Sequence, residues 1–330
     1  MRHPQTPGGE TMPAPLVPPV AASPFGRTAT AMITPFTDDG ALDTDGAQRL
    51  ATHLVDEGGC DALVLSGTTG EAPTTSDAEK EALLRAVVEA VGDRARIIAG
   101  VGTSDTRHSV ALARGAERAG AHGLLVVTPY YSRPTQEAVA HHLRTVADVT
   151  GLPVMLYDIP GRTGVALAWD TLLRLAAHPR IAAVKDCGYD LLKSAKVLAS
   201  TDLAYYAGCD EQILPLRALG GAGCVSTAAN AAPRAVRAVL DAFDAGDTAG
   251  AARRQLALVP LVEQLTGGQA PGTVTAKALL NHLGLPAGPV RGPLLAADAD
   301  LTSRLVDALR TTLDRTADTD TPAVPAAVPG

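Results

Sequence analysis

Only five lysines occur in the 330 residues, positive charge being otherwise carried by arginine, and one of them closes a short apolar run, Ile181-Ala182-Ala183-Val184-Lys185-Asp186. A strand end can deliver an amine into a partly dry pocket, where desolvation lowers its pKa and leaves a neutral nucleophile able to form a Schiff base with a carbonyl. Arginine cannot substitute, because its guanidinium stays protonated and is a poor nucleophile. The competing reading is a solvated lysine that snorkels out of a strand end.

Other residues could serve such an amine. Gly67-Thr68-Thr69-Gly70-Glu71 follows an apolar run. Its glycines let backbone approach a ligand closely, and its hydroxyls and N–H groups suit a carboxylate or phosphate, although the same string could be a plain turn. The chain has six tyrosines; Tyr130 and Tyr131 lie in Thr-Pro-Tyr-Tyr-Ser-Arg-Pro, and Tyr157 ends another apolar run. A phenol close to an amine and a threonine hydroxyl can shuttle the protons that imine formation and hydrolysis demand, the alternative being aromatic packing. Tyr205 and Tyr206 fit that packing role, at least one of them pointing into core. Arg162, in Pro-Gly-Arg-Thr-Gly, offers a planar fork suited to a substrate carboxylate, or is simply a solvated loop arginine. Gly208 and the backbone at Val225 close two further runs. Cys209 has no evident histidine partner and reads as a wall residue rather than a nucleophile.

The elements that must position these groups alternate regularly. Eight short β-rich apolar runs lie at 28–34, 61–67, 95–102, 122–129, 152–160, 180–186, 203–208 and 222–227, separated by longer helical patterns. Ser76 followed three residues later by Glu79 has the form of a capping box. Strands apolar nearly throughout are what a parallel sheet buried on both faces requires. Eight β/α units predict a (β/α)8 TIM barrel, with an open doubly wound sheet as the alternative; the latter usually brings a Gly-x-Gly-x-x-Gly turn after its first strand, and none occurs there. Catalytic groups of a barrel sit at the C-terminal ends of its strands, which is where Lys185 falls. The expected division is a disordered tail at 1–24, the barrel at 25–231, a C-terminal helical extension at 232–315 and a second disordered tail at 316–330. Both tails are rich in Pro, Ala and Thr without apolar periodicity.

A formal net charge of −7 argues against a nucleic-acid surface. No segment is long and apolar enough to span a bilayer, and the first tail lacks the pattern of a secretory signal. Cys60, Cys187, Cys209 and Cys224 form no Cys-x-x-Cys pair, so neither a zinc site nor a disulfide framework is expected, and a reducing cytoplasm is the default.

Together GTTGE at 67–71, TPYYSRP at 128–134, YDIPGRTG at 157–164 and VKD at 184–186 resemble, in order and spacing, the dihydrodipicolinate synthase (4-hydroxy-tetrahydrodipicolinate synthase) family of the N-acetylneuraminate lyase superfamily, pyruvate-dependent class I aldolases. The resemblance spans about 28–300. It implies a lyase of lysine and diaminopimelate biosynthesis in which Lys185 forms the imine with pyruvate and Thr69, Tyr157 and Tyr131 relay protons. Tyr131 is implied to reach into the adjacent subunit's site across the tight dimer of a homotetramer. Thr68 and Thr69 would hold the pyruvate carboxylate, Arg162 the carboxylate of L-aspartate 4-semialdehyde, and Gly208 and Val225 would line the site through backbone carbonyls. No metal or organic cofactor is implied.

Several positions depart from the family pattern. Cys209 stands where Asp or Asn is typical, and Cys187-Gly188-Tyr189 follows VKD where Ala and a small or polar residue are common. These bear on the second substrate. A related pyruvate aldolase acting on another aldehyde, and a silent metabolite-binding paralogue, are the competing readings; the intact Lys185, Thr69, Tyr131 and Tyr157 oppose the latter. Apart from Tyr130, the lysine-feedback positions of sensitive members appear as Asp77, Lys80, Ser104 and His108, which implies weak or absent lysine inhibition.

Overall fold

Alternate residues of each apolar run face two different cores, which is why the runs look apolar throughout. The computed structural model describes residues 23–268 and 270–319. The runs become β1 (Thr28–Ala31), β2 (Ala62–Leu65), β3 (Arg96–Gly100), β4 (Gly123–Val127), β5 (Val154–Asp158), β6 (Ile181–Asp186), β7 (Ala204–Ala207) and β8 (Gly223–Ser226). All pair in parallel and in chain order, and β8 closes onto β1 through Ala29 opposite Val225. The chain is a (β/α)8 barrel, as the eight-run count predicts.

One parity fills the barrel: Ala29, Val64, Ile98, Leu125, Met155, Ala183 and Tyr206. The other, including Leu63, Ile97, Leu124, Val154, Val184 and Tyr205, packs beneath the surrounding helices. The two neighbouring tyrosines therefore enter different cores, and both are fully buried. Phe25 also packs with the residues inside the barrel, edge-on to Tyr206 with ring centroids 6.4 Å apart. A Cβ on Gly123 would lie 2.4 Å from a Phe25 ring carbon, so the plug requires glycine there.

Helix Asp77–Val91 begins with the capping box read from Ser76 and Glu79. Glu79 also accepts from Arg291, and that ion pair, chiefly, holds its carboxyl down at about 2. After β8, helix Pro233–Asp244 is tied back to the start of β2: Arg234 donates to the Glu57 carbonyl at 2.6 Å, and Arg237 to the Gly59 carbonyl at 2.6 Å and to Asp61 at 3.0 Å. It completes the eighth β/α unit, so the barrel continues past the expected boundary at 231. The boundary was unreadable because a barrel helix and an appended helix share one periodicity. Helices Thr248–Thr266, Gly272–His282 and Ala299–Thr319 then form the C-terminal extension. The last enters the segment expected as a tail at 316–330; residues 320–330 and 1–22 lie outside the described residues. Among the described residues, no helix is long and apolar enough to cross a membrane.

The extension pins the loop after β2. Ser66 and Glu71 both adopt positive φ, 52° and 55°, a conformation costing on the order of 1–3 kcal/mol per non-glycine residue. Compensation comes from the C-terminal helices and the segment between them. Lys277 Nζ lies 2.7 Å from the buried Glu71 carboxylate, the Arg291 backbone N–H donates to the same carboxylate at 2.9 Å, and Thr273 Oγ1 donates to the Thr68 carbonyl at 3.2 Å. Removing one partner of a buried pair leaves the other charge uncompensated. Glu71→Ala is therefore expected to cost about 3–5 kcal/mol, read as a lowered urea midpoint. An unchanged midpoint would show that the pair does not hold the loop.

Candidate active site

Lys185 and Tyr157 are directly opposite each other on β6 and β5, with inward parity. Lys185 is only 4% exposed, and its Nζ lies 4.1 Å from the centre of the Tyr157 ring. Burial drives the amine's pKa below the ordinary lysine range; the nearby Cys187, Cys209 and Asp210 oppose that shift only in part. Burial at the mouth of the barrel thus favours the neutral, nucleophilic form of the amine.

Burial raises the Tyr157 phenol well above its ordinary pKa, and the side chains of Thr68 and Cys187 lie close enough to perturb it. The two threonines of the expected site differ in their neighbours. Thr68 meets Tyr157, whereas Thr69 Oγ1 turns to Thr227 Oγ1 at 3.4 Å. Successive residues of a turn project in different directions, and motif spacing cannot choose between two adjacent threonines. Both hydroxyls nevertheless stand at the same rim, Thr69 buried and Thr68 partly so.

Tyr131 is not brought to Lys185 within this chain. It is 94% exposed with φ of 73°, an unfavourable backbone for a bulky residue. Its loop is anchored on both sides: Thr128 Oγ1 donates to Thr163 Oγ1 at 3.1 Å, and Arg133 Nε donates to the Gly164 carbonyl at 3.3 Å. The loop thus holds the ring outward. Arg162 is exposed on the short helix Pro160–Thr163 directly after β5. Gly208 follows β7, and a Cβ there would lie 2.4 Å from Cys187 Sγ and 3.0 Å from Lys185 Cγ, so only glycine leaves room for both. Val225 is fully buried on the inward side of β8.

Supports that motif reading passed over lie one residue beyond the reactive ones, hence on the opposite parity. Asp158 and Asp186 follow Tyr157 and Lys185, and Lys193 bridges them at 2.6 and 3.5 Å. Asp186 also accepts from Tyr205 at 2.6 Å and from the Gly188 N–H at 2.6 Å, so β5, β6 and β7 are joined just outside the site. Asp210, buried, accepts from Ser226 and from the Ala228 N–H at 3.0 Å, fastening the β7 loop to the β8 loop. The signal available in sequence was the aspartate following each reactive residue. Away from this mouth, Asp77 and His108 pair with each other at 2.9 Å, and the Lys80 ammonium bonds the Thr75 carbonyl.

Comparison with known proteins agrees with this geometry. The family model described as the dihydrodipicolinate synthetase family matches residues 24–312. The chain is 68% identical over 287 residues to 4-hydroxy-tetrahydrodipicolinate synthase 1 of Streptomyces coelicolor, spanning 87% of this chain and 94% of that protein. It is 57% identical over 283 residues to 4-hydroxy-tetrahydrodipicolinate synthase of Acidothermus cellulolyticus, covering 86% and 91% of the two chains. Among solved structures, the lysine-bound enzyme from Cyanidioschyzon merolae superposes with a TM-score of 0.85 at 36% identity, covering 88% of this chain and 99% of that one. With the barrel, the buried strand-end lysine and these likenesses in agreement, the chain belongs to the dihydrodipicolinate synthetase family.

Proposed function

We propose that this chain catalyses the 4-hydroxy-tetrahydrodipicolinate synthase reaction, condensing pyruvate with L-aspartate 4-semialdehyde. The observation that carries the reading is the buried Lys185 amine set 4.1 Å from the Tyr157 ring, at the C-terminal mouth of a barrel. The neutral amine attacks the pyruvate carbonyl carbon, and loss of water gives the imine. Tyr157, with Thr68 as its hydroxyl partner, hands protons to and from the departing oxygen. Loss of a methyl proton then gives the enamine, whose carbon attacks the aldehyde. The amino group of the second substrate displaces Lys185 by transimination as the ring closes, and the free amine returns. Thr68 and Thr69 hold the pyruvate carboxylate, Arg162 the carboxylate of the semialdehyde, and the backbones of Gly208 and Val225 line the site. Because the protonated imine is itself the electron sink, the reaction needs no metal or organic cofactor.

The exposed, positive-φ Tyr131 acts in the site of a second copy, within a homotetramer built as a dimer of dimers. Tyr131→Phe is expected to lower kcat about 100-fold. Dimers reassembled from mixed Tyr131→Phe and Lys185→Ala chains should regain activity well above that of either parent, since one site per mixed dimer is then complete. No gain on mixing would place Tyr131 outside the partner's site. The four free thiols fit a reducing compartment, and we place the enzyme in the cytoplasm.

The test is direct. Incubation with pyruvate followed by borohydride is expected to leave a reduced adduct on the peptide containing Lys185, and added semialdehyde should turn over through a coupled reductase. No adduct overturns the reading; an adduct without semialdehyde turnover points to another aldehyde. The pH dependence follows from burial: a depressed pKa means the amine is protonated only at lower pH. Adduct formation should therefore rise with pH through a midpoint below that of a free lysine, and a midpoint at the free-lysine value would contradict the dry pocket.

A further inference from the structure

Two thiols flank Lys185 that the condensation does not use. The Cys187 side chain contacts both the Tyr157 phenol and the Cys209 thiol, and Cys209 is in turn met by Tyr189, whose hydroxyl donates to Glu211 at 2.7 Å. Gly208 lets the sulfurs approach, Cys187 Sγ lying 2.4 Å from where its Cβ would be. Asp186 is opposite Ala207 in the β6–β7 register, so Cys187 and Cys209 stand one and two residues past that pair. A strand spacing of about 4.8 Å and a rise of about 3.3 Å put their Cα atoms about 6 Å apart. A disulfide spans that separation. Cys209 is half-buried at the mouth and Cys187 lies just beneath it, whereas Cys60 and Cys224 are buried in the barrel wall. The contact with Cys209 and the nearby Lys185 amine favour the Cys187 thiolate, while burial pushes the Cys60 and Cys224 thiols up.

We propose that Cys187 and Cys209 are a peroxide-oxidisable dithiol whose disulfide slows chemistry at Lys185. The deprotonated Cys187 sulfur attacks hydrogen peroxide; an S–O bond forms, the O–O bond breaks, and the departing hydroxide takes up a proton as water. The Cys209 sulfur then attacks the sulfenic sulfur. An S–S bond forms, the S–O bond breaks, and the hydroxyl leaves as water with the Cys209 proton. Two thiols and one peroxide become one disulfide and two waters. The bridge removes the thiol from the Tyr157 phenol and clamps the β6 and β7 loops beside the amine. The effect on Lys185 rests on the function proposed above; the sulfur chemistry does not.

The full chain is treated with hydrogen peroxide, alkylated, digested and mapped by mass spectrometry. A cross-link between the Cys187 and Cys209 peptides is expected, with Cys60 and Cys224 still alkylated and full reversal by dithiothreitol. Cys209→Ser should instead give a Cys187 sulfenic acid captured by dimedone. Phenylarsine oxide, which bridges neighbouring thiols, should protect both cysteines of the unmodified protein from alkylation, so the test survives a variant that fails to fold. Oxidation should slow formation of the borohydride-trapped pyruvate adduct about 100-fold, reversibly, the lower end of what loss of a proton relay costs. Both thiols staying alkylatable after peroxide, or cross-linking to Cys60 or Cys224 instead, overturns the site. A mapped cross-link with undiminished adduct overturns its coupling to Lys185. Absence of adduct from the reduced protein would count against the proposed function and not against the dithiol.

Discussion

Lys185→Arg is expected to abolish the borohydride-trapped pyruvate adduct and to lower turnover by on the order of 10³- to 10⁶-fold, the range seen when a covalent nucleophile is removed. Arginine retains the positive charge and much of the length, so the loss would report nucleophilicity and not electrostatics. The site also amplifies the change. The amine is 4% exposed and its pKa is lowered by burial, so the pocket favours a neutral group and stabilises a guanidinium poorly. Lys185→Met, which removes charge while retaining an apolar stem, should be equally inactive but better folded. If Lys185→Arg keeps a substantial fraction of turnover, or an adduct appears on another lysine, Lys185 is not the nucleophile.

The second large effect separates the two threonines. Tyr157→Phe removes the phenol while keeping the ring beneath the amine, and kcat is expected to fall about 10²- to 10⁴-fold. Thr68→Val should reproduce the lower part of that fall, because Thr68 is the hydroxyl that meets Tyr157. Thr69→Val should act mainly on the KM for pyruvate, since its hydroxyl turns to Thr227 at 3.4 Å. Steady-state kinetics of the three variants, with the pH profile of kcat, check the assignment. A kcat loss for Thr69→Val larger than that for Thr68→Val would restore Thr69 to the relay.

These expectations differ in how far they could be read from residue order. Lys185 at the end of an apolar run, eight such runs and the capping box at Ser76 are local signals. They survive folding because periodicity and strand-end position are properties of the chain itself. Tyr157 was legible for the same reason, being another strand-end residue. The choice between Thr68 and Thr69 was not, because it depends on a turn with positive φ at Ser66 and Glu71 held by Lys277, more than 200 residues away. Arg162 and Tyr131 lie in loops at the same end of the barrel and are exposed in a single chain, so the roles proposed for them rest on a substrate and a second copy that residue order does not show. The end of the barrel at helix Pro233–Asp244 escaped for a different reason, since its identity as the eighth barrel helix rests on hydrogen bonds to Glu57, Gly59 and Asp61.

The sequence by itself determined the barrel and singled out Lys185 as the candidate nucleophile, since eight apolar runs and a strand-end position follow from short-range period, and the resemblance of its motifs to the family pointed to the kind of chemistry. Tertiary structure alone decided which side chains meet. Strand pairing sets Tyr157 across from Lys185, a distant ion pair holds Glu71 in the loop that carries Thr68 and Thr69, and a missing Cβ at Gly208 leaves room for the Cys187 sulfur beside the β7 loop that carries Cys209. Such contacts depend on the relative placement of strands and loops, which no local pattern encodes.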